Sequence, residues 1–390
     1  MMTRTLPLLA LATALAMPLP LAAQASDETA ASAQTEALAQ FAPRPSGNTS
    51  RMDYGFLDQA LGFMVLRMGI STREGLGRPE PTIGSRQLYG HDSRYRLEGN
   101  RVVYSFLKDD AIEPLTDYLR DLERLGAEVD IASLPRNEQL AYWTNLHNVA
   151  VIEAIARNYP LRSPSRMMLD GKRVVLDDLK LVTVAGVPLS PRDIRTRIVY
   201  PNWNDARVMY GFTRGEIGGP SIQRRAFTGE NIYELLENSA REFVNSLRGV
   251  ESYGKELQVS KIYAEAAPFY FPQFGDDLRD HLRLYAGDEV MGLIDSKPEL
   301  VVNQYEDRVA DLAGGEREPI YQQIEVDGKP AGSTITPSIA RLLNERLEKM
   351  EKLRRDGELR GRVIVLPAPN AEEQPPAAEA DNETEEDEGN

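Results

Sequence analysis

The sequence predicts a mixed α and β (α+β) fold with one main domain over about residues 51–310. Three observations carry this. Helical and strand periodicities alternate along the chain. One long segment around Trp143 has the marks of a central helix. A glycine-rich loop at 213–220 follows an apolar run and is expected to lie near the Asn/His turn of that helix. A C-terminal extension of strand and helix over 311–366 completes the folded part, and no repeat of fixed period is present.

Each element has a local reason. In 53–70, Phe56, Leu57, Ala60, Leu61, Met64 and Met68 recur at helical spacing. The glycines and prolines of 71–89 read as loop. Tyr95, Leu97, Val102 and Tyr104 alternate around Glu98-Gly99-Asn100, which predicts a β-hairpin over 95–106. An amphipathic helix over 115–125 is expected to end at Gly126. In 133–159, Ser133 is the expected cap, Pro135 suits the first turn and Glu138 adds charge at the favoured end. Leu140, Trp143, His147, Val151 and Ile155 follow in steps of three and four, and Pro160 stops the helix. Short strands are predicted at 174–176 and 181–184, and a helix at 192–199 after Pro191. A buried strand is expected at 207–212, a helix at 231–247 and a strand at 256–263. Helices are expected at 277–285 and 290–293, extended segments at 300–305 and 319–326, a charged helix at 339–355 and a last strand at 362–366.

The ends have their own character. Arg4, the apolar stretch from Leu6 to Leu21 and Ala23-Gln24-Ala25 before Ser26 read as an export signal over 1–25. Pro18 and Pro20 interrupt the stretch, which falls short of the roughly 20 apolar residues of a spanning helix. Export is therefore expected: to the periplasm in a Gram-negative cell, otherwise by secretion. Residues 26–50 read as a flexible leader and 367–390 as an acidic disordered tail. The chain has no cysteine, so disulfides and a lipoprotein anchor are both excluded. It carries 45 basic and 60 acidic residues, and nine of the acidic ones fall within 372–388. A mildly acidic body argues against nucleic acid and against anionic lipid as partners. No transmembrane segment is expected after removal of the signal.

Four segments, in order from 134 to 275, resemble the domain-of-unknown-function 547 family. Residues 139–148 (QLAYWTNLHN) are similar to its A-F-W-I-N-x-Y-N signature, and 187–194 (VPLSPRDI) to its L-S-x-x-x-I step before a helix. Residues 205–220 (DARVMYGFTRGEIGGP) are similar to D-P-R-I-H-F-A-L-N-C-x-S-x-x-C-P. Residues 259–262 with 269–275 are similar to an S-K-I strand followed by W-Y-x-x-D-F. The resemblance brings no reaction with it. Its His and Cys positions suggest thiol-hydrolase or redox chemistry by analogy only. This chain departs at those positions: the His corresponds to Met209, the two Cys to Arg214 and Gly219, and the Asp of the last segment to Gln273. A thiolate nucleophile needs sulfur and an adjacent base. The resemblance then implies a relative without that chemistry.

The remaining candidates follow from residue type. His147 is the one catalytic candidate, as a general base that titrates near neutrality. Against this stands its place on the apolar stripe, where a histidine is usually a hydrogen-bonded core residue. Asn145 and Asn148 sit mid-helix, where asparagine is disfavoured; they either tie down the glycine-rich loop or line a polar pocket. Gly211, Gly215, Gly218, Gly219, Thr213 and Ser221 suggest a backbone cradle for an anion, with charge from Arg207 and Arg214. Arg207, Thr213, Arg214, Gly218, Gly219 and Tyr270, with Asn145 and Asn148, are the binding candidates. Ser221 lacks a G-x-S-x-G elbow. His91-Asp92 has no ligand partner in sequence, and Asp177-Asp178 and Asp276-Asp277 read as turn or helix-start residues, so no metal and no cofactor is expected. The leading expectation is an exported ligand- or partner-binding protein without catalysis, its partner an unknown small molecule or envelope protein. The competing reading is a hydrolase or transferase using His147 with Asn145 or Asn148, which requires His147 to face an open cleft. A third is a structural role in the envelope through an exposed apolar stripe on helix 339–355.

Overall fold

The helix Arg136–Arg157 is the axis of the molecule, and every position from Glu138 to Ile152 along it is buried. A helix enclosed on all sides has no solvated face, so its polar residues must find protein partners. The computed structural model describes residues 36–79, 90–107, 109–316, 323–326, 329–333 and 337–357. The predicted export signal, the strand expected at 362–366 and the acidic tail lie outside the described residues.

Several expectations about the helices change in detail. Ser133 does not cap the central helix. It closes a 3₁₀ turn, Ile131–Ser133, and Pro135 occupies the cap position without a side-chain bond. The Gln139 amide instead donates to the carbonyls of Ala132 and Leu134 at 3.0 and 2.6 Å, fixing the entry to the helix. Gly126 does not end the preceding helix, which runs Glu113–Glu128. A Cβ there would overlap the Tyr142 hydroxyl and lie 2.6 Å from Val184 Cγ1, so the glycine permits close helix packing. Tyr142 donates to the Leu122 carbonyl at 2.9 Å across this contact.

The helical segment 191–202 opens with a capping box between Ser190 and Asp193. Its middle turns, Ile194–Val199, are π-helical. Ile232–Val244, Lys261–Tyr270, Phe274–Arg283 and Asp288–Ser296 complete the main body's longer helices. The helix Lys261–Tyr270 was not anticipated. The strand expected through residue 263 ends at Ser260, whose hydroxyl accepts from the Ile262 amide at 3.4 Å and starts the helix.

Strands are short. Met167–Leu169 pairs with Lys172–Val174, and Val182–Val184 with Val187–Leu189, both antiparallel. Among the described residues the largest sheet has three strands: Glu256–Ser260 lies between Val250–Tyr253, antiparallel, and Glu299–Gln304, parallel. The helices from 261 to 296 form the crossover that a parallel pair requires. The expected hairpin at 95–106 is absent. Only Arg101–Val102 is extended, paired with Val65–Leu66. Its alternation misled because both faces are buried: Glu98 accepts from the backbone amides of Leu247 and Arg248, and Arg101 donates to the carbonyls of Tyr95 and Arg96. The strand expected at 207–212 is a 3₁₀ helix, Ala206–Gly211, because the Asp205 carboxylate captures the Arg207 amide and turns the chain.

At the N-terminal side, Leu38 and Phe41 are buried in the main core, and Phe41 meets Trp143 edge-on at 5.1 Å. The described part of the expected flexible leader thus includes packed residues. The C-terminal helix Pro337–Arg355 docks on the body. Ile339 and Leu342 share a satellite core with Met68, Leu97, Val103 and Leu312, and Arg96 grips Glu345 with two hydrogen bonds.

The loop after the 3₁₀ helix runs along one face of the central helix, over Thr144, Asn148, Val151 and Ile155. Gly215 carries the closest approach. Its φ is +68°, and a Cβ there would overlap Ile155 Cδ1. Gly215→Ala is therefore expected to destabilise the protein by about 2–4 kcal/mol through strain and overpacking. The same substitution made in an Ile155→Val background should cost less. Equal urea midpoints for wild type and Gly215→Ala would disprove the close approach.

Candidate functional site

Two asparagines hold the loops to the central helix. Asn148 Nδ2 donates to the Gly211 carbonyl at 2.9 Å, and its Oδ1 accepts from the Thr213 amide at 3.0 Å. Asn145 makes the same two-bond clasp on a different segment: Nδ2 to the Phe227 carbonyl at 2.7 Å and Oδ1 from the Phe227 amide at 3.1 Å. The side chains of these two residues thus satisfy backbone groups that a buried loop would otherwise leave unpaired.

His147 lies between them and is fully buried. Its Nε2 faces Arg195 Nη1 at 3.0 Å, and a guanidinium only donates, so Nε2 is the acceptor. The proton then sits on Nδ1, which donates to Asn148 Oδ1 at 3.1 Å. The ring packs edge-on to Phe212 at 4.9 Å. Burial, and next the positive charge of Arg195, hold the imidazole down to about 3. His147 is a neutral bridge with both nitrogens engaged, and it does not face the open cleft that general-base catalysis requires.

Arg195 is the hub. It sits in the π-helical turns, where an extra residue per turn is common near functional positions. All five of its N–H donors are used. Nη1 and Nη2 form a fork on Asp177 at 2.7 Å each, Nε and Nη2 reach Glu265 at 2.9 and 3.1 Å, and Nη1 also reaches His147. Burial pushes the Asp177 and Glu265 carboxyls up, but Arg195 outweighs burial and holds both below the usual carboxylate range. Asp177, read from sequence as a turn residue, is thus the partner of a fully buried cation.

Arg214 lies on the outer side of this cluster and donates Nη2 to Glu265 at 2.7 Å. Glu216 is buried and accepts from the Tyr305 hydroxyl. Burial pushes its carboxyl up, opposed by that hydrogen bond and by Lys261. The Lys261 ammonium stands 3.4 Å from the centre of the Tyr305 ring, a cation–π contact.

The other candidates sit as follows. The loop amides do not form an anion cradle, because they are spent within the protein: Gly215 on Thr213 Oγ1, Ile217 on Arg308, Gly218 on Glu306 and Gly219 on Glu216. Arg207 is engaged by Asp205 and Glu237 and lies over the Tyr233 ring. Tyr270 donates to the Trp203 carbonyl at 3.0 Å. Ser221 Oγ accepts from the Asn100 amide and donates to Glu242. Among the described residues no group of three or more His, Asp or Glu side chains is placed to hold a metal ion.

The same central stretch carries the comparison with known families. Residues 131–244 match the family described as "Protein of unknown function, DUF547". This segment is a DUF547 domain. No curated protein and no solved structure matches the chain. The match contains His147, Asp177, Arg195, Arg214 and Glu216, while Lys261, Glu265 and Tyr305 lie beyond it. The polar cluster of the DUF547 domain is therefore completed by residues from outside the matched segment.

Sequence reading missed Arg195, Asp177, Glu265, Lys261 and Tyr305. One signal was present: Arg195 stands two residues after the Ser190–Asp193 capping box. Lys261 and Glu265 are four apart on one helix face, but that helix was read as the end of a strand.

Two outcomes are expected. Arg195→Met strips Asp177 of its fork and leaves Glu265 with Arg214 alone, which should cost about 3 kcal/mol or more, and Arg195→Lys should not restore it because an ammonium cannot fill both forks. Urea denaturation measures both. His147 and His281, which burial holds down to about 4, stay neutral in the fold while the unfolded chain binds protons near 6.5. Their contribution is complete above pH 6.5 and is lost as pH falls from 6.5 towards 3–4, at up to about 1.4 kcal/mol per pH unit for each group. His147→Gln should flatten this slope by about one group's share. Identical slopes for the variant and wild type between pH 6.5 and 4.5 would show that His147 is not held neutral.

Proposed function

We propose that the chain is an exported, non-catalytic ligand-binding protein. The observation that carries the reading is the state of His147: buried, neutral, and bonded through both ring nitrogens to Arg195 and Asn148. The central helix therefore offers no free base. The loop positions corresponding to the family pattern's His and Cys hold Met209, Arg214 and Gly219, so no thiolate is present either. What remains at the centre is a rigid, charge-rich scaffold whose outer side chains suit recognition. Export is supported by Arg4, the apolar stretch from Leu6 to Leu21 and the small residues before Ser26. A structural role through the C-terminal helix is less well supported. Ile339 and Leu342 of its apolar stripe are buried against the body, and Leu347 is the large apolar residue left exposed on the described part of that helix.

Thermal-shift screening with pooled small molecules tests the proposal. A stabilising compound should raise the melting temperature by mass action and be recovered unaltered. Esters, amides, thioesters and phosphoesters should be converted no faster than in buffer. Conversion of any of them, abolished by His147→Gln, would overturn the non-catalytic reading.

A further inference from the structure

We infer that Arg214 and Lys261 together bind the oxyanion group of a small carboxylate- or phosphate-bearing ligand. The inference deepens the ligand-binding reading and rests on it. It starts from a difference between two arginines in one cluster. Arg195 has spent all five donors, whereas Arg214 directs a single hydrogen bond, from Nη2, to Glu265. Among the described residues, Nε and Nη1 of Arg214 have no acceptor, although the side chain is only 11% exposed. A guanidinium so nearly buried, with half its fork unused, is set up for a further planar acceptor.

Lys261, an exposed residue, supplies the second cation. Its ammonium lies on the face of Tyr305 and has no hydrogen-bond acceptor among the described residues. Both residues border Tyr305. The point where a Cβ of Gly219 would stand is 3.6 Å from Arg214 Cβ and 3.6 Å from the Tyr305 hydroxyl, whose ring carries Lys261. Burial lowers the Lys261 ammonium, and the nearby Arg214 charge lowers it further against the pull of Glu216. Like charges that feel one another in a partly desolvated place repel, and an anion between them converts that repulsion into attraction on both sides.

The carboxylates around the pair are already hydrogen-bonded. Glu265 is bonded by Arg195 and Arg214, and Asp177 is taken by the fork of Arg195. Glu216 accepts from the Tyr305 hydroxyl, and burial pushes its carboxyl up against the opposing pull of that bond, Lys261 and Arg214. Asp307, beyond Tyr305, is engaged by Arg166, Ser163 and Ser165. The contacts available to a ligand are therefore side-chain cations and not the loop amides. This separates the site from the backbone cradle and from Arg207 that the sequence suggested.

The test uses the full chain, titrated with inorganic phosphate and separately with acetate, with ionic strength held constant by chloride. Affinity is read by calorimetry and by protection of Lys261 from acetylation, mapped by mass spectrometry. Saturable binding of one anion is expected, and the stronger of the two arms assigns the ligand to the phosphate or the carboxylate class. Lys261→Gln, a change at a solvent-reaching side chain, should weaken binding about tenfold or more, as loss of one charge-assisted contact does. Arg214→Gln should weaken it similarly, and Arg207→Gln should leave it within about twofold. Unchanged affinity in Lys261→Gln, or no saturable response to either anion at millimolar concentration, overturns the inference. If a pooled compound binds and returns unaltered while neither anion responds, this inference fails and the binding reading stands. If an anion binds as described and an ester or amide is also converted, the non-catalytic reading fails and the anion site stands.

Discussion

The buried guanidinium of Arg195 is the constraint on which the rest of the site depends. A cation taken wholly out of water is tolerated only when its charge is balanced and every N–H has an acceptor. Asp177, Glu265 and His147 meet that demand, each from a different element. Satisfying one side chain therefore fixes the relative positions of the turn at 176–178, the helical segment 191–202, the helix Lys261–Tyr270 and the central helix. It also sets the histidine's chemistry. Because Arg195 can only donate, Nε2 must stay unprotonated, and the histidine becomes a spacer between a charged cluster and an asparagine that clasps the loop.

That chain of dependence runs on into the loop. The His147 proton goes to Asn148 Oδ1, which also receives the Thr213 amide, while Asn148 Nδ2 holds Gly211. Charge balance at Arg195, the tautomer of His147 and the path of residues 211–215 thus form one hydrogen-bonded system, in which buried members reinforce one another. Packing adds a steric part at Gly215, where only a residue without a Cβ lets the backbone reach Ile155. The outcome is a rigid inner layer that leaves Arg214, Lys261 and Tyr305 at its outer side.

Much of the architecture was legible. Helices at 113–128, 136–157, 232–244, 274–283 and 288–296 follow apolar periodicity, and the proximity of the loop to the Asn/His turn follows from residues ill-suited to a helix interior. The failures share a cause. The expected hairpin at 95–106 and the expected strand at 207–212 were read from alternation and apolar runs, which presume one wet face or a ladder partner. In the structure both segments are enclosed, and side chains such as Glu98 and Asp205 take backbone bonds that a strand would have given to a neighbour.

What the sequence by itself determined is the absence of thiol chemistry, the mixed α and β class, the central helix and the family resemblance of the central segment. These follow from composition and from spacing between near neighbours. What only the tertiary structure decided is the role of each polar residue. Asp177, Arg195 and Glu265 are separated by 18 and 70 positions along the chain, and no local pattern encodes their meeting. Whether His147 is a base or a bridge likewise depends on which nitrogen faces a guanidinium, and that is settled by packing between distant elements.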